Sequence, residues 1–143
     1  MANANTTKKT FSRTTEVSID IDAPADAVWA LLVDAKSFPS WNSTVLELDG
    51  EIALGQTLKL KSTMAPERVF KLKVKSMDAP KTMVWGDMMG AREYSLQPTT
   101  DGTRFSMREK IGGPLFPLFA RMIPDFDDAF NTFAADLKKA AER

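Results

Sequence analysis

The hydrophobic period of this chain changes once along its length, and that change limits the fold more than any other feature. Six stretches, at 44–48, 57–64, 68–77, 82–87, 92–97 and 104–111, alternate apolar and polar residues. That spacing of two is the pattern of a half-buried strand. After Gly112-Gly113-Pro114, Phe126, Phe130, Phe133, Leu137 and Ala140/Ala141 recur in steps of three and four. This is a single apolar stripe on a long helix. Asp78-Ala79-Pro80, Met89-Gly90 and Asp101-Gly102 punctuate the strands as turns. Pro124 cannot sit inside an unbroken helix, so the spacing predicts a kink, or a short helix over 115–122 and a main one from about 125.

Ahead of these, Val17, Ile19 and Ile21 alternate with Ser18, Asp20 and Asp22 as a first strand. Pro24 and Asp26 then open a helix carrying Val28, Trp29, Leu31 and Leu32, and a short helical turn follows at 37–42. The order is β, two short helices, six strands, long helix. It predicts an α+β fold: a curved antiparallel sheet with the Phe stripe against its concave face. Residues 1–14 are polar and aperiodic, and are expected to be a disordered tail ahead of a single domain over 15–143.

The 143 residues include no His and no Cys. Disulfides, Ser-His-Asp or Cys-His catalysis and a zinc site with N or S ligands are thereby excluded. No metal site is expected, and Asp125, Asp127 and Asp128 are read as helix-end charges. Nineteen bases balance nineteen acids, which argues against a dedicated polyanion binder. The distribution is uneven, with eight acids against Lys36 alone over 15–56 and seven bases against Glu67 and Asp78 over 57–81. The lysines there alternate with apolar residues as the outer face of a hairpin, with no interleaved aromatics, so no nucleic-acid partner is expected. The start has no apolar secretory core and no run is long enough to span a bilayer, so a cytoplasmic protein without stable membrane insertion is expected.

Several strings, in order, resemble the START-like helix-grip superfamily (SRPBCC), in its polyketide cyclase/dehydrase and lipid-transport-like branch. They are Ile19-Asp20-Ile21-Asp22-Ala23-Pro24 with Val28-Trp29, Phe38-Pro39-Ser40-Trp41-Asn42, Val84-Trp85-Gly86, Tyr94 with Leu96 and Pro98, Asp101-Gly102-Thr103-Arg104-Phe105, Glu109, and Gly112-Gly113-Pro114. The likeness covers about residues 15–142. It implies a helix-grip fold, with the sheet wrapped round the last helix, and an internal cavity between them that holds a hydrophobic small molecule. Some members are enzymes and many are not, and fold analogy does not choose.

Strand parity turns Asp87, Arg92, Tyr94 and Glu109 toward the apolar side, where a charge needs a partner or a wet cavity. Two readings stay open. One is the polar end of a ligand pocket, with Arg92 and Tyr94 orienting a carbonyl or carboxylate. The other is solvated strand ends, with Arg92 paired to Asp87 or Glu109. Trp85, Met83, Met107, Phe70, Phe126 and Phe130 are candidate ligand-binding residues, each equally readable as core. The main expectation is binding of a lipid-like or polycyclic ligand. The alternative is a cofactor-independent cyclase or dehydratase with Glu109 or Asp87 as base, a raised-pKa carboxylate serving for the absent His. The apolar stretch 114–123 is left as a lid, a homodimer contact or a membrane contact.

Overall fold

The computed structural model describes residues 2–143. Eight strands run β1 (Asn5–Lys8), β2 (Ser12–Ile21), β3 (Val45–Asp49), β4 (Thr57–Ser62), β5 (Phe70–Asp78), β6 (Thr82–Gly86), β7 (Gly90–Pro98) and β8 (Thr103–Gly112). The helices are α1 (Ala25–Leu32), α2 (Phe38–Trp41), α3 (Phe116–Phe119) and α4 (Asp127–Ala141). The strands form one antiparallel sheet in the order β1-β2-β8-β7-β6-β5-β4-β3. The order read from the sequence is therefore present, with two pieces added to it: β1 at the front, and before the main helix the short α3, where a short helix over 115–122 was the expected alternative to a kink.

The first of these additions corrects the expected tail. Residues 5–8 pair with β2 in register Asn5↔Glu16 to Lys8↔Arg13. The Thr6 hydroxyl donates to Asp127 and shares a 2.9 Å bond with Thr15, and the Ala4 N–H donates to Asn131 at 2.7 Å. β1 thus covers the edge of β2 and ties it to the start of α4. Polar bonds rather than apolar burial hold it, so its composition carries no hydrophobic pattern. β2 also begins earlier than its apolar alternation, and Arg13 and Thr15, both inward, are buried.

α4 lies against the concave face and buries Phe130, Phe133, Ala134 and Leu137. Asp127 and Asp128 sit in its first turn, and Lys138 and Lys139 in its last, where each sign suits the helix dipole. Asn42, fully buried, joins the short helices to the rest. Its side-chain oxygen accepts from the Thr44 N–H and hydroxyl, and its amide donates to the Phe133 carbonyl at 3.5 Å. Burying each large apolar side chain in this layer contributes about 2 kcal/mol.

The concave face is not sealed evenly. Towards the end that holds the β5–β6 and β7–β8 turns, Leu58, Val74, Leu96, Tyr94, Phe105 and Met107 are buried. Towards the other end Leu60, Leu72, Phe70, Arg92, Glu109 and Ile111 are only half-buried. The same gradient runs along four strands, so the concave face is sealed at one end and its side chains stay partly open to solvent at the other.

Candidate functional site

Arg92 on β7 stands directly opposite Glu109 on β8, and Tyr94 opposite Met107. Opposed residues of an antiparallel pair share a face, so parity delivers all four to the concave side. The Arg92 Nε donates to the Glu109 Oε1 at 2.6 Å, with 25% and 18% of the two side chains exposed. The guanidinium also lies 4.9 Å above the Phe130 ring. Phe130 stacks on Phe126 at 6.2 Å and 3°, and the Arg13 guanidinium lies 5.2 Å over the Phe126 ring. Each of the two stacked rings thus carries a cation, a position favoured by the negative ring face.

Burial alone would lower the Arg92 basicity. The Glu109 carboxylate, and then Tyr94, reverse this and hold the guanidinium above its ordinary range. The Tyr94 phenol is pushed up to about 12, first by burial, against the pull of the Arg92 charge. At neutral pH the site therefore holds a neutral phenol beside an ion pair. Glu109 takes only the Nε of Arg92. The Tyr94 phenol accepts a further hydrogen bond from the guanidinium, and its remaining N–H groups are donors for an oxygen acceptor.

Behind this polar group the closed half is aromatic. Phe38, Trp41, Trp85, Tyr94, Phe105 and Phe133 neighbour one another with ring centroids 4.7 to 6.2 Å apart. The middle of the expected cavity is thus filled by side chains. Trp85 Nε1 donates to the Met83 sulfur at 3.3 Å, a weak acceptor. Trp41 Nε1 is the one buried side-chain nitrogen or oxygen among the described residues with no partner. Two depressions open elsewhere. One of about 250 Å³ lies on the convex face between Ser18, Ser95 and Ser106. The other, about 490 Å³, lies among the loops beyond Phe11 and Met89.

The structure brings Arg92, Glu109, Phe126 and Phe130 together at the open half, with the buried Tyr94 beside Arg92 at the border of the closed half. Trp85, Met83 and Met107 lie in the closed half as core. Phe70 is on the open half too, but two strands away on β5, with Arg68 at 4.8 Å over its ring. Asp87 is a correction. β6 ends at Gly86, so strand parity no longer applies, and its carboxylate accepts from the Met89 and Gly90 N–H groups at 2.9 and 3.0 Å. It caps a turn rather than facing the interior. Arg13 was missed because it fell in the expected tail. It is 7% exposed and donates to the Ile123 and Pro124 carbonyls at 3.2 and 2.7 Å. Extending the β2 alternation backwards by two steps from Val17 would have found it. Among the described residues, no group of three or more Asp or Glu gathers to hold a metal ion.

Residues 12–142 match the family described as polyketide cyclase/dehydrase and lipid transport. No curated protein matches the sequence. Among solved structures, a Rhodobacter sphaeroides protein superposes with TM-score 0.73 at 16% identity, over 97% of this chain and 96% of that one. A Mesorhizobium loti protein gives 0.70 at 20% identity, over 90% and 96%. The di-domain ARO/CYC BexL from the BE-7585A biosynthetic pathway gives 0.73 at 16% identity, over 95% of this chain and 52% of that one. At these identities the likeness establishes the shared helix-grip fold.

Proposed function

Because this chain belongs to the polyketide cyclase/dehydrase and lipid-transport family, we propose that it binds a hydrophobic small molecule bearing an oxygen acceptor. The ligand enters the open half of the space between sheet and α4. Its apolar body lies against Leu60, Phe70, Leu72 and Phe126, and its oxygen meets the guanidinium N–H groups of Arg92 that Glu109 and Tyr94 leave over. The observation that carries this is the uneven sealing of the concave face, with the ion pair placed where the face opens. Pockets of this type are mostly apolar with a few placed polar groups. Arg92 is already neutralised by Glu109, so a neutral carbonyl suits it better than a carboxylate, which would have to displace Glu109.

The test is calorimetric titration with methyl nonyl ketone and with laurate. The expected result is one ketone per chain, a raised Tm and weaker binding of laurate. Arg92→Met should weaken ketone binding about tenfold, the value of one charge-assisted hydrogen bond. Absence of saturable ketone binding, or binding indifferent to Arg92→Met, overturns the proposal.

A second reading, conversion by a cyclase or dehydratase mechanism, is favoured by one observation. Glu109 is the carboxylate on the open half, and part of it is reachable from solvent. Glu109→Gln would then abolish turnover of a polyketide-like substrate while binding persists.

A further inference from the structure

Among the described residues nine large apolar side chains are exposed, and six of them, Phe11, Met88, Met89, Leu115, Leu118 and Met122, stand at one end of the sheet, where Val69 of the β4–β5 turn is exposed as well. The six belong to three adjoining segments: the β1–β2 turn, the β6–β7 turn and the stretch after β8. The Gly113 N–H donates to the Phe11 carbonyl at 3.0 Å and the Gly112 N–H to the Met89 carbonyl at 2.9 Å. Phe11, Met88 and Met89 line one depression of about 490 Å³, with Lys75 and Lys110 on it. The apolar tip is not a loosely packed core. Phe116, between Leu115 and Leu118, is buried and anchors the segment, while Leu118 and Met122 are 79% and 82% exposed.

Charge is arranged around this tip. Lys8, Lys9, Lys75, Lys110 and Arg121 are exposed there, and none has a carboxylate partner, whereas Lys61, Arg104, Arg108 and Lys138 are each ion-paired elsewhere. The acids at this end are Glu67, Asp87, Asp125, Asp127 and Asp128, of which Asp87 and Asp125 accept from backbone N–H groups and Asp127 from the Thr6 hydroxyl. At the opposite end Asp20, Asp22, Asp49, Glu51, Asp78, Asp101 and Glu142 outnumber Lys81, Arg104, Lys138, Lys139 and Arg143. The apolar end thus carries exposed bases without a carboxylate partner, and the other end an excess of acids.

We infer that this end docks on the surface of a bilayer rich in anionic phospholipid. Apolar tips ringed by unpaired bases match the two layers of such a surface, acyl chains below and phosphates above. A second copy of the chain would bring the same bases against each other. Polynucleotide would answer the charge and leave the apolar tips in water. The contact is peripheral, since no helix among the described residues is long and apolar enough to cross a membrane. The inference does not depend on the ligand proposed above.

The full chain should co-sediment with vesicles of mixed phosphatidylcholine and phosphatidylglycerol. It should not do so with phosphatidylcholine alone, and added salt should weaken the association. The double variant L118D/M122D changes only exposed side chains, so its Tm should hold while vesicle binding falls about tenfold or more. K9E/K110E should lower binding about fivefold per residue. Ketone binding should be unaffected in both, which separates this surface from the interior site. Failure to sediment, equal binding to both vesicle types, or unchanged binding by the variants overturns the inference. So does a dimer that L118D/M122D dissociates without any vesicle binding.

Discussion

Tyr94 is the residue at which the site's chemistry can be read directly, because it is the only tyrosine in the chain. Its phenol is pushed up to about 12 by burial. A folded-state pKa raised above the ordinary value near 10 favours the protonated phenol. That contribution is complete below about pH 10 and is lost as the pH rises through about 12. The loss is on the order of 2–3 kcal/mol for two units of displacement. Tyrosinate absorbance of the native chain should therefore appear late, and all at once if unfolding intervenes. Comparing alkaline denaturation of wild type with Tyr94→Phe isolates the effect. A phenol that ionises near 10 in the folded chain would show that it is not enclosed beside Arg92.

At the scale of elements, Arg13 fastens two parts of the molecule that no strand or helix joins. It reaches from β2 to the carbonyls of Ile123 and Pro124, 110 residues or more away in sequence. Arg13→Leu keeps much of the packing on Phe126 and removes both hydrogen bonds. It should cost about 2 kcal/mol, since two carbonyls lose a charged donor. Hydrogen exchange over 114–124 should rise by more than in the sheet, because Arg13 holds the end of that stretch through the Ile123 and Pro124 carbonyls. A uniform loss across all strands would mean that Arg13 supports the core generally.

The same residue shows where sequence pattern stops being informative. The six later strands, the long helix and the inward parity of Arg92, Tyr94 and Glu109 follow from apolar spacing, because burial there is apolar. β1 is held by hydroxyls and backbone groups, which leave no such trace, so the polar start read as a tail. Asp87 misled for a different reason. Parity holds only inside a strand, and one residue past Gly86 the chain had already turned. Pairing across the sheet is also invisible in spacing, so the partnership of Arg92 with Glu109 rather than Asp87 awaited the register.

For the whole molecule, the consequence of β1 is that the sheet has a guarded edge. The stretch matching the family begins at residue 12, so deletion of residues 2–11 should leave a chain that still folds. It should lose about 2–3 kcal/mol, by urea titration, through the ladder and the bonds to Asp127 and Asn131. It should also aggregate sooner, since β2 would then present an open edge. A deletion that melts like the full chain would reduce β1 to an ornament of the fold.

The placement of β2 between β1 and β8 carries a further meaning for how the chain comes into being. Ser18 and Ser106 share a hydrogen bond across that ladder although 88 residues separate them. On the ribosome the second strand emerges long before the partner that will complete it. Of the two neighbours of β2, β1 lies next to it in sequence and β8 is the last strand of the series. The sheet is thus closed into one piece only through a ladder between distant parts of the chain, the kind of non-local pairing that slows folding.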